Sequence, residues 1–293
     1  NDLFAVVGLF YPILFVALVA NVIVLLIFRS KWIYLHLLLL LAFLPISLRY
    51  IGFHTHNSNE GWKIMTYNVH GFRGFHKTLT NNTTHKEIIA YIQKENLDMV
   101  CLQEFRSWTG NIENDTRTFA SEAGFKHFHF TGYWRKGGVQ SDGYLILSKL
   151  PIMNTGAIPS KTKRNIGAFV DVKTPNQEVV RIASVHLISF SLGKQEIEAF
   201  GEAAALEMNL LKKHGRSLLG KFRNSFNIRA KEIIDLQSFV KDTELPLLVC
   251  GDFNDTPASF TYSKMIETGL KDGHIQADFG LGATYAGNLP WLR

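Results

Sequence analysis

The stretch Leu247-Leu248-Val249-Cys250-Gly251-Asp252-Phe253-Asn254-Asp255 joins an apolar run to a polar exit. The apolar part is typical of a buried strand that ends at Gly251. On an extended chain, residues i and i+2 point to the same side, so Asp252 and Asn254 would present a carboxylate and an amide together. Open α/β sheets bind ligands at the carboxyl ends of their strands. An ordinary turn after a strand has the same pattern, and this segment alone does not decide between the two.

The composition sets wide limits on what the chain can be. It has 293 residues, of which 46% are hydrophobic and 19% charged, enough for one large domain or two smaller ones. The formal net charge of +6 is compatible with phosphate-bearing or anionic partners, although many plain domains are equally basic. Cys101 and Cys250 each lie in a strand-like apolar run, so we expect small buried hydrophobes rather than a disulfide framework or a zinc site.

The apolar residues are concentrated at the N-terminus. Residues 3–28 are almost uncharged and long enough to span a bilayer as a helix, and residues 32–48 form a second apolar run. We therefore predict that residues 1–53 are a transmembrane helical hairpin, which makes the protein a multi-pass membrane protein in contact with the lipid bilayer. The alternative is a buried helical pair in a soluble core. Residues 54–61 are polar and are predicted to be a linker.

The charges that flank the two runs bear on orientation. Arg29 and Lys31 lie in the tight loop between them, and the positive-inside rule places this loop in the cytoplasm. The domain at residues 62–293 would then lie on the non-cytoplasmic side. Arg49, on the far flank of the second run, argues for the opposite orientation.

Strand and helix patterns alternate after the linker. Mixed patterns of this kind predict a layered α/β or α+β domain. The predicted strands cover residues 63–69, 99–104, 144–148, 168–173, 179–187 and 247–250, and the predicted helices cover residues 85–95, 194–214 and 227–241.

Polar residues stand at the ends of four of these strands. They are Asn68, Glu104, His186 and the pair Asp252/Asn254. A polar side chain that follows an apolar strand is costly to bury unless it is paired or binds a ligand. Oxygen donors of this kind suit a hard cation such as Mg²⁺, which takes one or two carboxylates and keeps several waters. The set indicates metal-assisted attack of water on a phosphate ester.

Five short motifs that contain these residues stand in a characteristic order. The chain resembles the endonuclease/exonuclease/phosphatase superfamily from about Trp62 onward, and more narrowly its membrane-anchored bacterial members. The resemblance implies a four-layer α/β sandwich, in which two mainly antiparallel sheets pack face to face with helices outside. The motifs are Ile64-Met65-Thr66-Tyr67-Asn68-Val69, Leu102-Gln103-Glu104, Ile146-Leu147-Ser148-Lys149-Leu150-Pro151-Ile152, Ser184-Val185-His186-Leu187 and Gly251-Asp252-Phe253-Asn254.

The resemblance also implies roles for the strand-end residues. Glu104 would ligate the metal with help from Asn68, which counts among the catalytic residues as well. Asp252 would orient or deprotonate the attacking water, and Asn254 would hold that water or the phosphate. His186 would contact the scissile phosphate and stabilise the charge that develops on it. The implied cofactor is Mg²⁺, with Mn²⁺ as an alternative.

The end of the sequence departs from the family pattern. Family members carry a Ser-Asp-His segment after the last strand, whereas this sequence stops at Leu289-Pro290-Trp291-Leu292-Arg293. We expect that the sequence is incomplete at its C-terminus and that this fragment is impaired as an enzyme. Asp272 and His274 precede the missing segment and are expected in a surface loop.

Two functions remain open from the sequence. The first is a membrane-anchored, divalent-metal-dependent phosphoesterase that acts on phosphodiesters or phosphomonoesters. Its substrate would be a nucleic acid, a phospholipid head group or a small phosphoester, and no obligate protein partner is indicated. The second is a catalytically inactive binding or scaffold module that keeps the fold.

Overall fold

A computed structural model describes residues 8, 10–55, 61–72, 84–133, 142–189, 208–282 and 284. The chain forms two compact units. One, here called the anchor unit, draws on residues 1–58, 189–230 and 255–293. The other, here called the sandwich unit, draws on residues 59–188 and 231–254. The prediction of a single domain over residues 62–293 differs from this division, and it stays a prediction.

The described helices and strands follow one another in a mixed order. They are α1 (Tyr11–Ile27), α2 (Ile33–Ser47), β1 (Ile51–Phe53), β2 (Ile64–Asn68), α3 (Thr84–Glu95), β3 (Met99–Arg106), α4 (Ile112–Glu122), β4 (His127–Gly132), β5 (Asp142–Ser148), β6 (Ile152–Pro159), β7 (Asn165–Lys173), β8 (Val179–His186), α5 (Met208–Lys241), β9 (Leu247–Asp252), α6 (Phe260–Ile266), α7 (Gly273–Ala277) and β10 (Phe279–Leu281).

The sandwich unit holds two four-stranded sheets. Strand order is β2-β3-β5-β4 in the first sheet and β6-β7-β8-β9 in the second. The pairs β2/β3 and β8/β9 are parallel, and the other four pairs are antiparallel. The predicted mainly antiparallel character is therefore confirmed.

Alternation along the strands creates a core on each face of the first sheet. Met99 and Cys101 of β3 pack with Ala168 and Val170 of β7, so this face meets the second sheet. The opposite face, which includes Val100 and Leu102, packs against residues of α3 and α4 such as Ile92 and Phe119. The period of two along β3 thus serves both cores.

The second sheet is covered by the C-terminal part of α5. Ile233, Leu236 and Val240 on this helix are buried, and the ring of Phe239 lies 5.5 Å from that of Phe169 on β7. The order is therefore helices, sheet, sheet, helix. This confirms the predicted four-layer sandwich.

Two local predictions differ from the structure. Separate helices were predicted at residues 194–214 and 227–241, but α5 runs without a break from Met208 to Lys241, while residues 190–207 lie outside the described part. His274, predicted in a surface loop, lies in α7. Asp272 stands just before this helix and caps it, because its carboxylate accepts from the backbone N–H of His274 at 2.9 Å.

The anchor unit contains the apolar N-terminal helices. The Tyr11 hydroxyl links α1 to α2 through the Phe43 carbonyl at 2.9 Å and the Ser47 hydroxyl at 2.7 Å. Among the described helices, the segment Ile33–Tyr50 is long and apolar enough to cross a membrane, and only 11% of it is buried. Helix α1 is equally apolar but has 17 residues. Most of the predicted linker, at residues 56–60, lies outside the described part.

Candidate active site

The polar strand ends meet at one edge of the sandwich unit. Strands β2, β3 and β4 end there, β5 and β7 begin there, and β8 and β9 end there. The pairings show this directly, because Asn68 lies opposite Gln103 and His186 opposite Asp252. In antiparallel sheets the end of one strand neighbours the start of the next, so residues far apart in sequence collect at one edge.

Glu104 reaches this edge through an irregularity in β3. The register of β3 against β5 shifts between Leu102 and Phe105, and Glu104 itself has φ of 54°. A left-handed backbone at a residue with a Cβ is uncommon and clusters at functional sites. The preceding Gln103 stays buried and joins the sheets, because its side-chain amide donates to Thr66 at 3.1 Å and to Ser184 at 2.9 Å.

Asp252 and Asn254 are arranged by a turn rather than by strand alternation. Strand β9 ends at Asp252, and Asn254 has φ of 51°. The backbone N–H of Asn254 donates to the Asp252 carboxylate at 2.9 Å, and its side-chain amide donates to the Leu187 carbonyl at 2.9 Å. The sequence predicted that Asp252 and Asn254 share one face of a strand. In the structure they instead lie in a turn that is closed by the hydrogen bond to the Asp252 side chain.

Asn68 joins the two carboxylates. Its amide nitrogen donates to Glu104 Oε1 and to Asp252 Oδ2, each at 3.0 Å. Its oxygen accepts from the backbone N–H of His70 at 2.9 Å, which fixes the orientation of the amide. The imidazole of His70 lies on the other side of Glu104, with Nδ1 3.4 Å from Oε2.

His186 is held from behind by Tyr133 and Arg164. The Tyr133 oxygen accepts the backbone N–H of Glu104 at 2.6 Å and lies 3.2 Å from His186 Nδ1, so its own hydrogen is available to Nδ1. Arg164 donates to the His186 carbonyl at 2.8 Å, with the same nitrogen 3.5 Å from Nδ1. Because both groups at Nδ1 are donors, they favour the tautomer that carries its proton on Nε2.

His186 Nε2 is the open end of this arrangement. It is buried and has no hydrogen-bond partner among the described residues. Glu104 Oε1, at 3.6 Å, is too far for a good hydrogen bond. A buried donor without an acceptor is costly, so a ligand oxygen at Nε2 would relieve the cost.

Burial controls the protonation states of His186 and Tyr133. It lowers the pKa of His186, although Asp252 and Glu104 act in the opposite direction, while Arg164 lowers it further. Burial also raises the pKa of the Tyr133 hydroxyl, with help from Tyr144 and Glu104. A neutral imidazole and a protonated tyrosine are the expected forms near neutral pH.

Arg164 is itself anchored by helix α5. Its Nη1 lies 3.6 Å from Glu232 Oε1, and its guanidinium carbon lies 5.2 Å from the centre of the Tyr133 ring. Glu232 is fully buried and also accepts the backbone N–H of Ile188 at 2.7 Å. The second sheet and helix α5 thus hold the Arg164 guanidinium in place next to His186.

The structure therefore brings the predicted residues Asn68, Glu104, His186 and Asp252 into one cluster, with Asn254 bonded to Asp252. Sequence reasoning missed three neighbours of the cluster. The signal available for them was position, because each lies within two residues of the end or the start of a strand that reaches this edge. The missed residues are His70, Tyr133 and Arg164.

The donor atoms of the cluster decide whether it can hold a divalent cation. Among the residues that the structure describes, no group of three or more His, Cys, Asp or Glu side chains is arranged to hold a metal ion. Mg²⁺ does not need such a group, since it binds through one or two carboxylates and keeps its waters. The Glu104 side chain is 30% exposed, and its carboxylate is joined to that of Asp252 through a single amide. This donor set fits a hard cation.

One family model and several solved structures are similar to the chain. A model of the Endonuclease/Exonuclease/phosphatase family matches residues 65–293. A functionally unknown conserved protein from Enterococcus faecalis V583 is 17% identical, with a TM-score of 0.49, over 70% of this chain and 71% of that chain. An endonuclease/exonuclease/phosphatase from Beutenbergia cavernae DSM 12333 is 16% identical, with a TM-score of 0.49, over 73% and 55%. The 3' phosphatase NExo from Neisseria, bound to product DNA hairpin, is 14% identical, with a TM-score of 0.46, over 78% and 80%. No curated protein matches the chain.

Proposed function

The chain belongs to the endonuclease/exonuclease/phosphatase family, and from this premise we propose that it is a membrane-anchored, Mg²⁺-dependent phosphoesterase. Members of this family are hydrolases that act on phosphoester bonds. The proposed substrate is a phosphodiester or phosphomonoester, in a nucleic acid, a phospholipid head group or a small molecule. Mn²⁺ is the alternative ion.

One observation carries the proposal. A single amide, that of Asn68, is bonded to the carboxylates of both Glu104 and Asp252 at 3.0 Å, and the partnerless Nε2 of His186 lies beside them. Carboxylates, an amide and a neutral imidazole donor are the groups that bind a hard cation and an anionic phosphate side by side.

The residues divide the chemistry between them. Glu104 and Asn68 would hold the cation, which when bound supplies positive charge to a phosphate oxygen. Asp252 would accept the proton of the attacking water, while Asn254 holds the turn that positions Asp252. Asn254 would also accept a hydrogen bond from the water through its amide oxygen, or donate one to the phosphate through its second amide hydrogen. His186 would donate from Nε2 to an anionic oxygen whose charge grows during the reaction.

The membrane part of the proposal rests on composition and exposure. The Ile33–Tyr50 segment has the length and hydropathy of a span, and it is mostly exposed, whereas the core helix of a soluble domain is mostly buried. We propose that α1 and α2 form a hairpin in the bilayer and that the sandwich unit lies on the non-cytoplasmic side.

A substrate panel tests the activity. The purified protein in detergent micelles is assayed with plasmid DNA, bis(p-nitrophenyl) phosphate, p-nitrophenyl phosphate, sphingomyelin and phosphoinositides, with and without Mg²⁺. At least one substrate should turn over only with the metal, and Asp252→Asn should slow it by about 100-fold or more. The control is Asp242→Asn, an exposed carboxylate at the end of α5. No turnover of any substrate would support the inactive binding module instead, and equal rates in wild type and Asp252→Asn would remove Asp252 from the mechanism.

A further inference from the structure

The anchor unit carries a small ribbon whose outer face is apolar. Strands β1 and β10 pair antiparallel, with Ile51 opposite Leu281 and Phe53 opposite Phe279. Residues opposite one another in an antiparallel pair share a face, so these four side chains lie together. Phe53 is 62% exposed, Phe279 69% and Leu281 77%. Large apolar side chains grouped in this way mark an interaction surface.

Glycines on the opposite face decide which side of the ribbon is outward. Gly52 pairs with Gly280 between the two apolar pairs. A Cβ on Gly52 would lie 2.3 Å from the carbonyl oxygen of Asp278 and 2.9 Å from that of His274. On β1 the glycine face is therefore pressed against the backbone of α7 and the residue that follows it, whereas a Cβ on Gly280 would have nothing within 4 Å. The apolar face must point away from the body of the anchor unit.

The ribbon is fixed to the end of the apolar helix. Strand β1 begins directly after Tyr50, where the Ile33–Tyr50 segment ends. Arg49 donates to the Pro257 carbonyl at 3.3 Å and to the Ser263 hydroxyl at 3.1 Å, and the Tyr50 hydroxyl accepts from Ala258 N–H at 3.3 Å. These bonds tie the helix end to the segment that leads to β10.

For an α2 that spans a bilayer, the short length of β1 would keep the ribbon close to the membrane surface. Three residues of strand cover about 10 Å, so Phe53 lies within that reach of the helix end. The interfacial zone on each side of the hydrocarbon core is about 5–8 Å thick. An apolar face of Phe and Leu side chains at this level is what surface-bound amphipathic segments present to lipid.

We propose that the apolar face of the β1–β10 ribbon, formed by Ile51, Phe53, Phe279 and Leu281, inserts into the interfacial zone of the lipid bilayer beside the end of α2. The contact would fix the orientation of the anchor unit on the membrane. This inference rests on the membrane anchoring in the proposed function, and it is independent of the hydrolytic chemistry.

Depth-dependent quenching of a fluorescent label tests the contact. Phe279→Cys is labelled with NBD in the full chain and reconstituted into phosphatidylcholine vesicles that contain lipids with doxyl groups at shallow or deep acyl positions. Leu38→Cys, on an exposed position of α2, reports insertion of the helix. Gln276→Cys, exposed on α7 at the glycine side of the ribbon, is the matched control. Label on unsubstituted chain measures the background from Cys101 and Cys250.

The label at residue 38 distinguishes a failure of the ribbon contact from a failure of the membrane anchoring. If the ribbon inserts, the shallow doxyl lipid should quench the label at residue 279 several-fold more strongly than the label at residue 276. Quenching at residue 38 without quenching at residue 279 overturns the ribbon contact and leaves the membrane anchoring standing. A ribbon covered by another protein surface would give this result. No quenching at residue 38 overturns the anchoring and the ribbon contact together. Leu281→Cys repeats the test if Phe279→Cys fails to fold, as judged by circular dichroism.

Discussion

Gly251 is the residue whose replacement tests the geometry of the site most simply. Its φ is 138°, and a Cβ there would lie 2.0 Å from the carbonyl oxygen and 2.7 Å from the nitrogen of Val185. Val185 is the partner of Gly251 in the parallel pair of β8 and β9. Since both clashing atoms are backbone, no side-chain rotation can relieve the contact in Gly251→Ala.

The size of the effect follows from that distance. Ordinary contacts with carbon need about 3.5 Å, so the two strands must separate by roughly 1.5 Å at this point. Overpacking costs about 1–3 kcal/mol, and the left-handed backbone adds about 1–2 kcal/mol. We expect Gly251→Ala to lose about 2–5 kcal/mol of unfolding free energy. The next residue is Asp252, and a displacement of about 1 Å at a reacting group costs about 100-fold in rate.

The assay compares Gly251→Ala with a glycine that has strain but no clash. Gly124 has φ of 83° and nothing within 4 Å of an added Cβ. Thermal unfolding and Mg²⁺-dependent hydrolysis are measured for both variants in the same detergent. Gly124→Ala should lose about 1–2 kcal/mol and keep its activity. If Gly251→Ala matches Gly124→Ala in both stability and rate, the close packing of β8 and β9 does not position Asp252.

Three further predictions test other parts of the structure. Tyr133→Phe removes the acceptor of the Glu104 N–H at 2.6 Å and the hydroxyl next to the His186 imidazole, so kcat should fall about 10-fold or more with KM little changed. The exposed Tyr91→Phe is the control, and a change in KM alone would contradict the positioning role. Chelation of the metal should abolish hydrolysis, and Glu104→Gln should raise the Mg²⁺ concentration for half-maximal rate by about 10-fold or more, whereas an unchanged requirement would remove Glu104 from the metal site. Burial raises the pKa of Asp171, but hydrogen bonds from Arg181 and Asn154 outweigh it and hold that pKa below its usual value. The difference in Tm between wild type and Arg181→Met should therefore be largest above about pH 4 and should disappear as the pH falls through the lowered pKa. A Tm difference that is constant with pH would refute the ion pair.

Much of the sandwich unit could be predicted from local patterns. The apolar runs that end in Asn68, Glu104, His186 and Asp252 are strands, because each run is long enough for one strand and stops at a polar residue. Their order along the chain carried the resemblance to the family. The side chains that follow these runs collect at one edge, as the sequence predicts.

The details that orient those side chains could not be predicted. The β3 irregularity at Glu104 and the left-handed turn at Asn254 depend on pairing partners that are distant in sequence. Tyr133 and His186 are 53 residues apart, and nothing in either local sequence marks their contact. Such features are decided by tertiary contacts, which override local propensity.

The helical region and the ribbon show the same limit. The single α5, Met208–Lys241, covers residues that the sequence predicted as parts of two separate helices. The ribbon of β1 and β10 joins two three-residue strands, and its partners Phe53 and Phe279 are 226 residues apart in sequence. A strand this short has too few residues for a periodic pattern.

The central claim is that water attacks phosphorus at the edge where Asn68, Glu104, His186 and Asp252 meet. Its most direct test is hydrolysis of bis(p-nitrophenyl) phosphate in water labelled with heavy oxygen, with Mg²⁺ present, followed by mass spectrometry of both products. We expect the heavy oxygen in the phosphate product of the wild-type protein, and a rate about 100-fold lower for Asp252→Asn. Label in the nitrophenol, or an Asp252→Asn rate equal to that of wild type, would contradict it.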